Sequence, residues 1–347
     1  MLKECRVLVT GAGSGVGQGI IKSLRKSDLP IKIIGSDISK MNAGLYRTDE
    51  SILLPKVEDE GALDLIIQKL NCLKINLVLI GSEFDVIFFS VNKSIIESST
   101  DAKVCVAPIE TIKIADDKWL TALFLEENKL PFSPAFLPSS ISDAIRQSTS
   151  WEYPVILKSR SGTSSRHVHV INSNEELKEK FHSVPSPMLQ KVIDLPSAEL
   201  KTEYTCSVFK TCSGSLIGPF TARRTVKGGT SWHIEVNQFE ELTDALISIG
   251  KSLDFIGSLN IQLMLSENGP VPFELNARFS GTTAIRAYFG FNEPEMAVKN
   301  IFYNQEIEIP KLNKGIVLRY NEEVFIDDVG YEDLDPLRHK GLVIPWF

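Results

Sequence analysis

SLNIQLMLS (258–266), ENG (267–269) and VPFELNARF (271–279) form the stretch on which the reading of this chain turns. Two β-rich runs flank a turn whose residues 268–269 suit a hairpin. Along the second run Glu274, Asn276 and Arg278 fall on alternate positions, so an extended strand presents all three on one face. The hairpin sets Gln262 of the first run beside them. Gln262, Glu274 and Asn276 are oxygen-bearing and suit a hard cation, Mg2+ or in its place Mn2+, which keeps waters and bridges phosphate oxygens. Arg278 beside them suits a transferred phosphoryl group or an acyl phosphate. A solvated polar face on an amphipathic hairpin would ask only for polar residues of any type, and Glu-Leu-Asn-Ala-Arg is more particular than that.

Working back toward the N-terminus, Lys158 closes the strand PVILKS (154–159) and is followed by RSGTSSR (160–166), small residues flanked by arginines. A strand-borne lysine supplies a fixed cation for inner phosphates, and backbone donors at Ser161, Gly162, Ser164 and Ser165 can fold over outer ones. Taken alone, this also reads as an ordinary surface loop. LQKVI (189–193) is a strand whose backbone, from Gln190 through Lys191 and Val192 to Ile193, can line an adenine slot. Glu203 opens EYTCSVF (203–209), where its carboxylate can accept two ribose hydroxyls or stand as an edge-strand charge.

The first hundred residues alternate strand and helix patterns: RVLVT (6–10), an amphipathic stretch from Val16 to Lys26, IKIIGSD (31–37), DLIIQKL (64–70), INLVLIGS (75–82), FDVIFFSVNKSII (84–96) and KVCVAP (103–108). This predicts a parallel, doubly wound sheet. Its glycine-rich turn TGAGSGVGQG (10–19) places Thr10, Gly11, Gly15 and Gly17 as in short-chain dehydrogenases, with Asp37 as a ribose acceptor. None of the seven tyrosines has the Lys four residues later that such an enzyme needs, and a tight turn chosen for packing reads the same glycines. Glu83 and Asp85 follow a strand at the end where ligands bind, or else cap a helix. Beyond Lys113 come a helix at 116–128, prolines, a helix near 141–150 and strands of antiparallel style. The fold class is therefore α/β followed by α+β.

Composition narrows the function. The 37 basic and 44 acidic residues leave a net charge of -7 with no long basic run, so nucleic acid is not an expected partner. No window approaches the ~18 apolar residues of a membrane span, and no signal-peptide core follows the N-terminus, so a cytoplasmic protein is expected. The five scattered cysteines form no CxxC pair, and His167 with His169 reads as packing or surface.

The order of Lys158, small-residue loop, Gln190 strand, Glu203-Tyr-Thr, Gln262 and Glu274-x-Asn-x-Arg resembles the ATP-grasp superfamily, most closely the large-subunit halves of carbamoyl-phosphate synthase, over residues 5–310. DKWLTALFLEENKLPFSPAF (117–136) is similar to that family's Asp-Lys helix and the strand after it. The resemblance implies a Rossmann-like pre-grasp sheet (1–113), then an ATP-grasp fold of two α+β subdomains (114–188 and 189–310), and a short terminal segment (311–347). It implies Lys118 and Lys158 on phosphates, 190–193 along adenine, Glu203 on ribose, Gln262, Glu274 and Asn276 at metals, and Arg278 facing an acyl phosphate. Arg223, Arg224 and Lys227 in ARRTVKGGT (222–230) are further substrate-side cations on the same ground, or a solvated basic patch. Two departures stand out: Lys191 replaces an acidic residue, and the chain stops soon after the grasp region. The implied activity is ATP- and Mg2+-dependent ligation of a small-molecule carboxylate to an amine or similar nucleophile, in a monomer or homo-oligomer. A nucleotide sensor or partner-dependent subunit, and an NAD(P)-dependent dehydrogenase, are the rival readings.

Overall fold

In the computed structural model, which describes residues 2–162, 167–193 and 203–343, three sheets follow one another along the chain. The first comprises β1 (Cys5–Val9), β2 (Ile31–Asp37), β3 (Glu50–Leu53), β4 (Leu77–Leu79) and β5 (Lys103–Cys105), in the order β3-β2-β1-β4-β5 and parallel throughout. Helices α1 (Gly15–Arg25), α2 (Ala62–Cys72), α3 (Glu83–Val91) and α4 (Lys93–Ser99) alternate with these strands. Apolar residues on both faces of β1 and β4 are buried, as a parallel sheet covered on two sides requires. β3 escapes sequence reading because it is a four-residue edge strand whose Glu50 meets Arg6 (2.8 Å) and Lys32 (2.5 Å) rather than apolar side chains. The single helix expected over 84–96 is two, since Asn92 closes α3 with its backbone and side-chain N–H groups on the Phe88 carbonyl.

Helices α5 (Ile109–Asp116) and α6 (Lys118–Glu127) lead to a four-stranded antiparallel sheet ordered β6-β9-β7-β8. It contains β6 (Ala135–Phe136), β7 (Val155–Ser159), β8 (Val168–Ile171) and β9 (Pro187–Lys191), with α7 (Ile141–Trp151) and α8 (Asn174–Lys180) on it. This lobe encloses its own core of Ala144, Val155, Leu157, Ile171, Leu177 and Leu189. Two of the expected boundaries, after 113 and after 188, fall inside α5 and β9. These bounds, implied by the resemblance, do not coincide with the ends of hydrogen-bonded elements.

The third sheet runs β15-β14-β10-β12-β13-β16 with β11 on β10. Its strands are β10 (Glu203–Lys210), β11 (Leu216–Phe220), β12 (Ala222–Lys227), β13 (Thr230–Val236), β14 (Gly257–Ser266), β15 (Gly269–Asn276) and β16 (Gly315–Leu318), with α9 (Thr243–Ser252), α10 (Thr283–Tyr288) and α11 (Glu293–Ala297) beside them. Leu8, Val78, Phe124, Leu125, Val208, Ile249 and Ile261 belong to one continuous core, so the first sheet, α6 and the large sheet form a single body. After β16 the chain returns to the first sheet, where Lys340 Nζ donates to the Thr48 and Asp49 carbonyls and Gly341 N–H to Tyr46. Among the described residues no helix is long and apolar enough to cross a membrane.

Candidate functional site

The β14–β15 hairpin places Gln262 opposite Glu274 and Asn260 opposite Asn276. Glu274 Oε1 accepts the side-chain amides of both Gln262 (3.0 Å) and Asn276 (2.9 Å), so the three expected cation ligands meet at one carboxylate oxygen. Among the described residues no group of three His, Cys, Asp or Glu could hold a metal. A cation here would use one carboxylate, two amide oxygens and waters, a donor set that fits Mg2+ in its preference for oxygen and retained water. Gln262 Oε1 already faces a positive charge, Arg224 Nη2 at 2.6 Å.

Arg278 departs from the expected alternation. β15 ends at Asn276, and the Arg278 N–H turns back onto the Asn276 carbonyl at 2.8 Å, so Arg278 does not continue the strand face. Its guanidinium instead meets Glu83 Oε2 at 3.3 Å, at the start of α3 beyond the C-terminal end of β4. Beside it, burial raises the Asp85 carboxyl above its usual range, opposed by a hydrogen bond from Thr10.

Lys158, on β7, is 6% exposed and donates to Gln190 Oε1 at 2.6 Å. Burial, and then the nearby charge of Lys118, pull its pKa down to about 8, with Glu274 of the large sheet acting in the opposite direction. Lys118 heads α6 and reaches the Gly162 carbonyl at 3.0 Å, where a φ of 108° suits glycine alone. Ser161 is exposed beside it. Ser164 and Ser165 lie outside the described residues.

The stretch expected along adenine runs from inside the small sheet to beyond its edge. Gln190 is buried inside the small sheet, paired on both sides, and turns its amide to Lys158 and to the Ser133 carbonyl. Lys191 uses its N–H on Pro134 and its carbonyl on the Ser133 hydroxyl. Val192 and Ile193 lie past the end of β9.

Glu203 faces the hairpin and is held by Arg224 Nε (3.0 Å) and Nη2 (2.7 Å). Arg224 thus joins the site, linking Glu203 to Gln262. Arg223 does not join it: neighbouring strand residues point to opposite faces, and Arg223 pairs with Glu235 and lies over Phe239. Lys227 sits at the β12–β13 turn over Trp232, its ammonium 5.2 Å from the ring centroid, so neither cation belongs with Arg224.

Over residues 200–324 the chain matches the family described as ATP-grasp in the biosynthetic pathway with Ter operon. It is 23% identical over 304 residues, 82% of its length, to the mitochondrial arginine-specific large chain of carbamoyl phosphate synthase from Schizosaccharomyces pombe. The carbamoyl phosphate synthase large chain of Pyrococcus furiosus is 23% identical over 284 residues, 78% of this chain. The chain spans about a quarter (26%) of each of these relatives. Among solved structures, N5-carboxyaminoimidazole synthetase of Staphylococcus aureus complexed with ADP superposes with a TM-score of 0.72 at 16% identity, over 92% of this chain and 83% of that one. The biotin carboxylase of Campylobacter jejuni gives 0.73 at 15% identity, over 98% and 84%. The chain has the ATP-grasp fold.

Within this fold the glycine-rich turn is closed by its own neighbours. Asp37 accepts the Gly13 N–H (2.8 Å), the Ile38 N–H (2.8 Å) and the Asn42 amide (2.6 Å), which leaves the dehydrogenase reading without its ribose acceptor. A Cβ on Gly17 would stand 2.1 Å from the Gly11 carbonyl oxygen, so close backbone approach accounts for that glycine. Sequence reasoning missed the pairing of Asp117 with Arg160, and a buried network behind the hairpin in which Arg286 binds Glu293 and Asn260. Only the position of Asp117, just before Lys118, signalled the first, and nothing local signalled the second.

Proposed function

We propose that the chain is an ATP- and Mg2+-dependent ligase that phosphorylates a carboxylate to an acyl phosphate and passes the acyl group to an amine or similar nucleophile, releasing ADP and phosphate. The carrying observation is that Gln262, Glu274 and Asn276 meet at one carboxylate oxygen of the hairpin, tied through Arg224 to Glu203. On this reading Lys118 and Lys158 are the phosphate-binding cations and Glu274 is the cation-binding carboxylate. The relatives named above, carbamoyl phosphate synthase large chains and ATP- or ADP-bound carboxylases and synthetases, support the same chemistry.

In this reading Lys118 and Lys158 hold the phosphates, and Gln262, Glu274 and Asn276 hold Mg2+, or Mn2+ in its place. The cation supplies charge neutralisation on the phosphate oxygens. Burial disfavours the charge on Lys158, and a phosphate beside it would favour that charge. Glu203 takes the ribose once Arg224 lets go of it, and Arg278, anchored by Glu83, meets the acyl phosphate. Such a reaction depends on positioning and electrostatics more than on covalent chemistry by the protein. The first sheet, whose strand end brings Glu83 to Arg278, holds the second substrate.

The test is ADP release with Mg2+ and pools of amino acids and small carboxylates, in the wild type and in Glu274→Ala. Release that depends on one pool and is lost in the variant supports the ligase. Tight ATP binding without release from any pool would move the reading to a partner-dependent or sensing role.

A further inference from the structure

Lys118 and Lys158 belong to different bodies. Lys118 heads α6, whose Phe124 and Leu125 are packed into the core shared by the first and large sheets, whereas Lys158 lies on β7, whose Val155 and Leu157 are packed into the separate core of the small lobe. Nothing in either core fixes the distance between the two ammonium groups.

Contacts at the junction bridge the two bodies. Asp117, immediately before Lys118, caps α6 through its Oδ1, which accepts the Trp119 N–H at 2.9 Å and the Leu120 N–H at 3.3 Å. The same carboxylate receives Arg160 Nε at 3.2 and 3.0 Å and Nη2 at 2.5 Å. Arg160 is two residues beyond Lys158, and its carbonyl accepts the Lys118 N–H at 2.8 Å. A planar guanidinium gripping a carboxylate fixes orientation as well as distance.

Resting on the nucleotide-site reading above, we propose that Arg160 is a positioning residue of that site: its fork on Asp117 docks the small lobe on α6 and thereby sets the separation of Lys118 and Lys158. Both side chains keep some contact with solvent, 30% and 22% exposed, and partly exposed pairs contribute little to stability. The consequence of losing the pair is therefore a looser lobe rather than an unfolded protein.

Two measurements decide this. The first needs no nucleotide: nitroxides on Glu126→Cys in α6 and Lys178→Cys in α8, with exposed Cys72 and Cys212 replaced by serine, report the body-to-lobe distance distribution. Arg160→Met and Asp117→Asn should each broaden it, with Tm nearly unchanged because Asn retains the helix cap. An unaltered distribution overturns the clamp. The second is Mg·ATP affinity: each single variant should weaken binding by about tenfold, the double variant no further, as two halves of one contact do, and Arg160→Lys should recover part of the loss. Weaker binding in Arg160→Met with normal binding in Asp117→Asn would overturn the proposal in favour of a direct Arg160 contact with phosphate. Should the wild type not bind Mg·ATP at all, the ligase reading falls while the distance measurement still judges the clamp.

Discussion

Lys158 Nζ lies 2.6 Å from Gln190 Oε1, on the neighbouring strand of the small sheet and out of reach of bulk water. A neutral amide oxygen orients an ammonium group but does not offset its desolvation, which is why burial, and then Lys118, bring its pKa down to about 8.

This fixes a pH dependence. The folded pKa lies below the ordinary lysine value, so the folded state disfavours the charged form: stability is reduced below pH 8 and recovers as pH rises from about 8 toward 10.5. Nucleotide phosphates have the opposite preference. Mg·ATP affinity should therefore fall as pH rises through 8, and binding above that pH should take up a proton. Calorimetry in buffers of different ionisation enthalpy measures the uptake, and a value of zero at pH 9 would remove Lys158 from the phosphates.

Arg224 holds Glu203 in the absence of nucleotide, so a ribose must compete with a charge-assisted pair. Arg224→Met should strengthen adenosine binding about five- to tenfold, in line with the ~1–1.5 kcal/mol of such a contact at a partly exposed site. Fluorescence or calorimetric titration reads this directly, and weaker binding would mean that Arg224 shapes the pocket instead of blocking it.

Glu274 receives two amide N–H groups, which a glutamine can still accept through its carbonyl oxygen. Glu274→Gln should therefore fold with a loss of about 1 kcal/mol or less, yet lose the Mg2+-dependent rise in Tm with ATP and at least about a hundredfold in ADP release, on the scale of losing a transition-state charge contact. A variant that keeps half the wild-type release would show that the hairpin face is not the cation site.

Arg286 and Glu293 are both fully buried, and Glu293 Oε1 also accepts the Ser207 and Ser258 hydroxyls at 2.5 and 2.6 Å. Glu293→Leu leaves a guanidinium without its counter-charge and should cost about 3–5 kcal/mol in urea unfolding. Adding Arg286→Met should restore part of that loss, because the pair carries its own desolvation cost. Arg286 Nε has no partner among the described residues, which adds to the cost of keeping this charge inside.

By itself the sequence determined what local periodicity and residue chemistry can encode. The alternation of apolar strands and amphipathic helices specified the parallel first sheet, and the 258–279 stretch specified a hairpin that pairs Gln262 with Glu274. The ordered set of Lys158, Glu203 and the hairpin carboxylate was visible because each residue lies on a recognisable strand. Tertiary structure decided what each side chain faces. Gln190 turned inward to Lys158, Arg223 went to the opposite face from Arg224, and Arg278 left its strand for Glu83, 195 residues away. Only packing joined Asp117 to Arg160 and Arg286 to Glu293, because long-range ion pairs leave no period in a sequence and depend on which bodies the cores bring together.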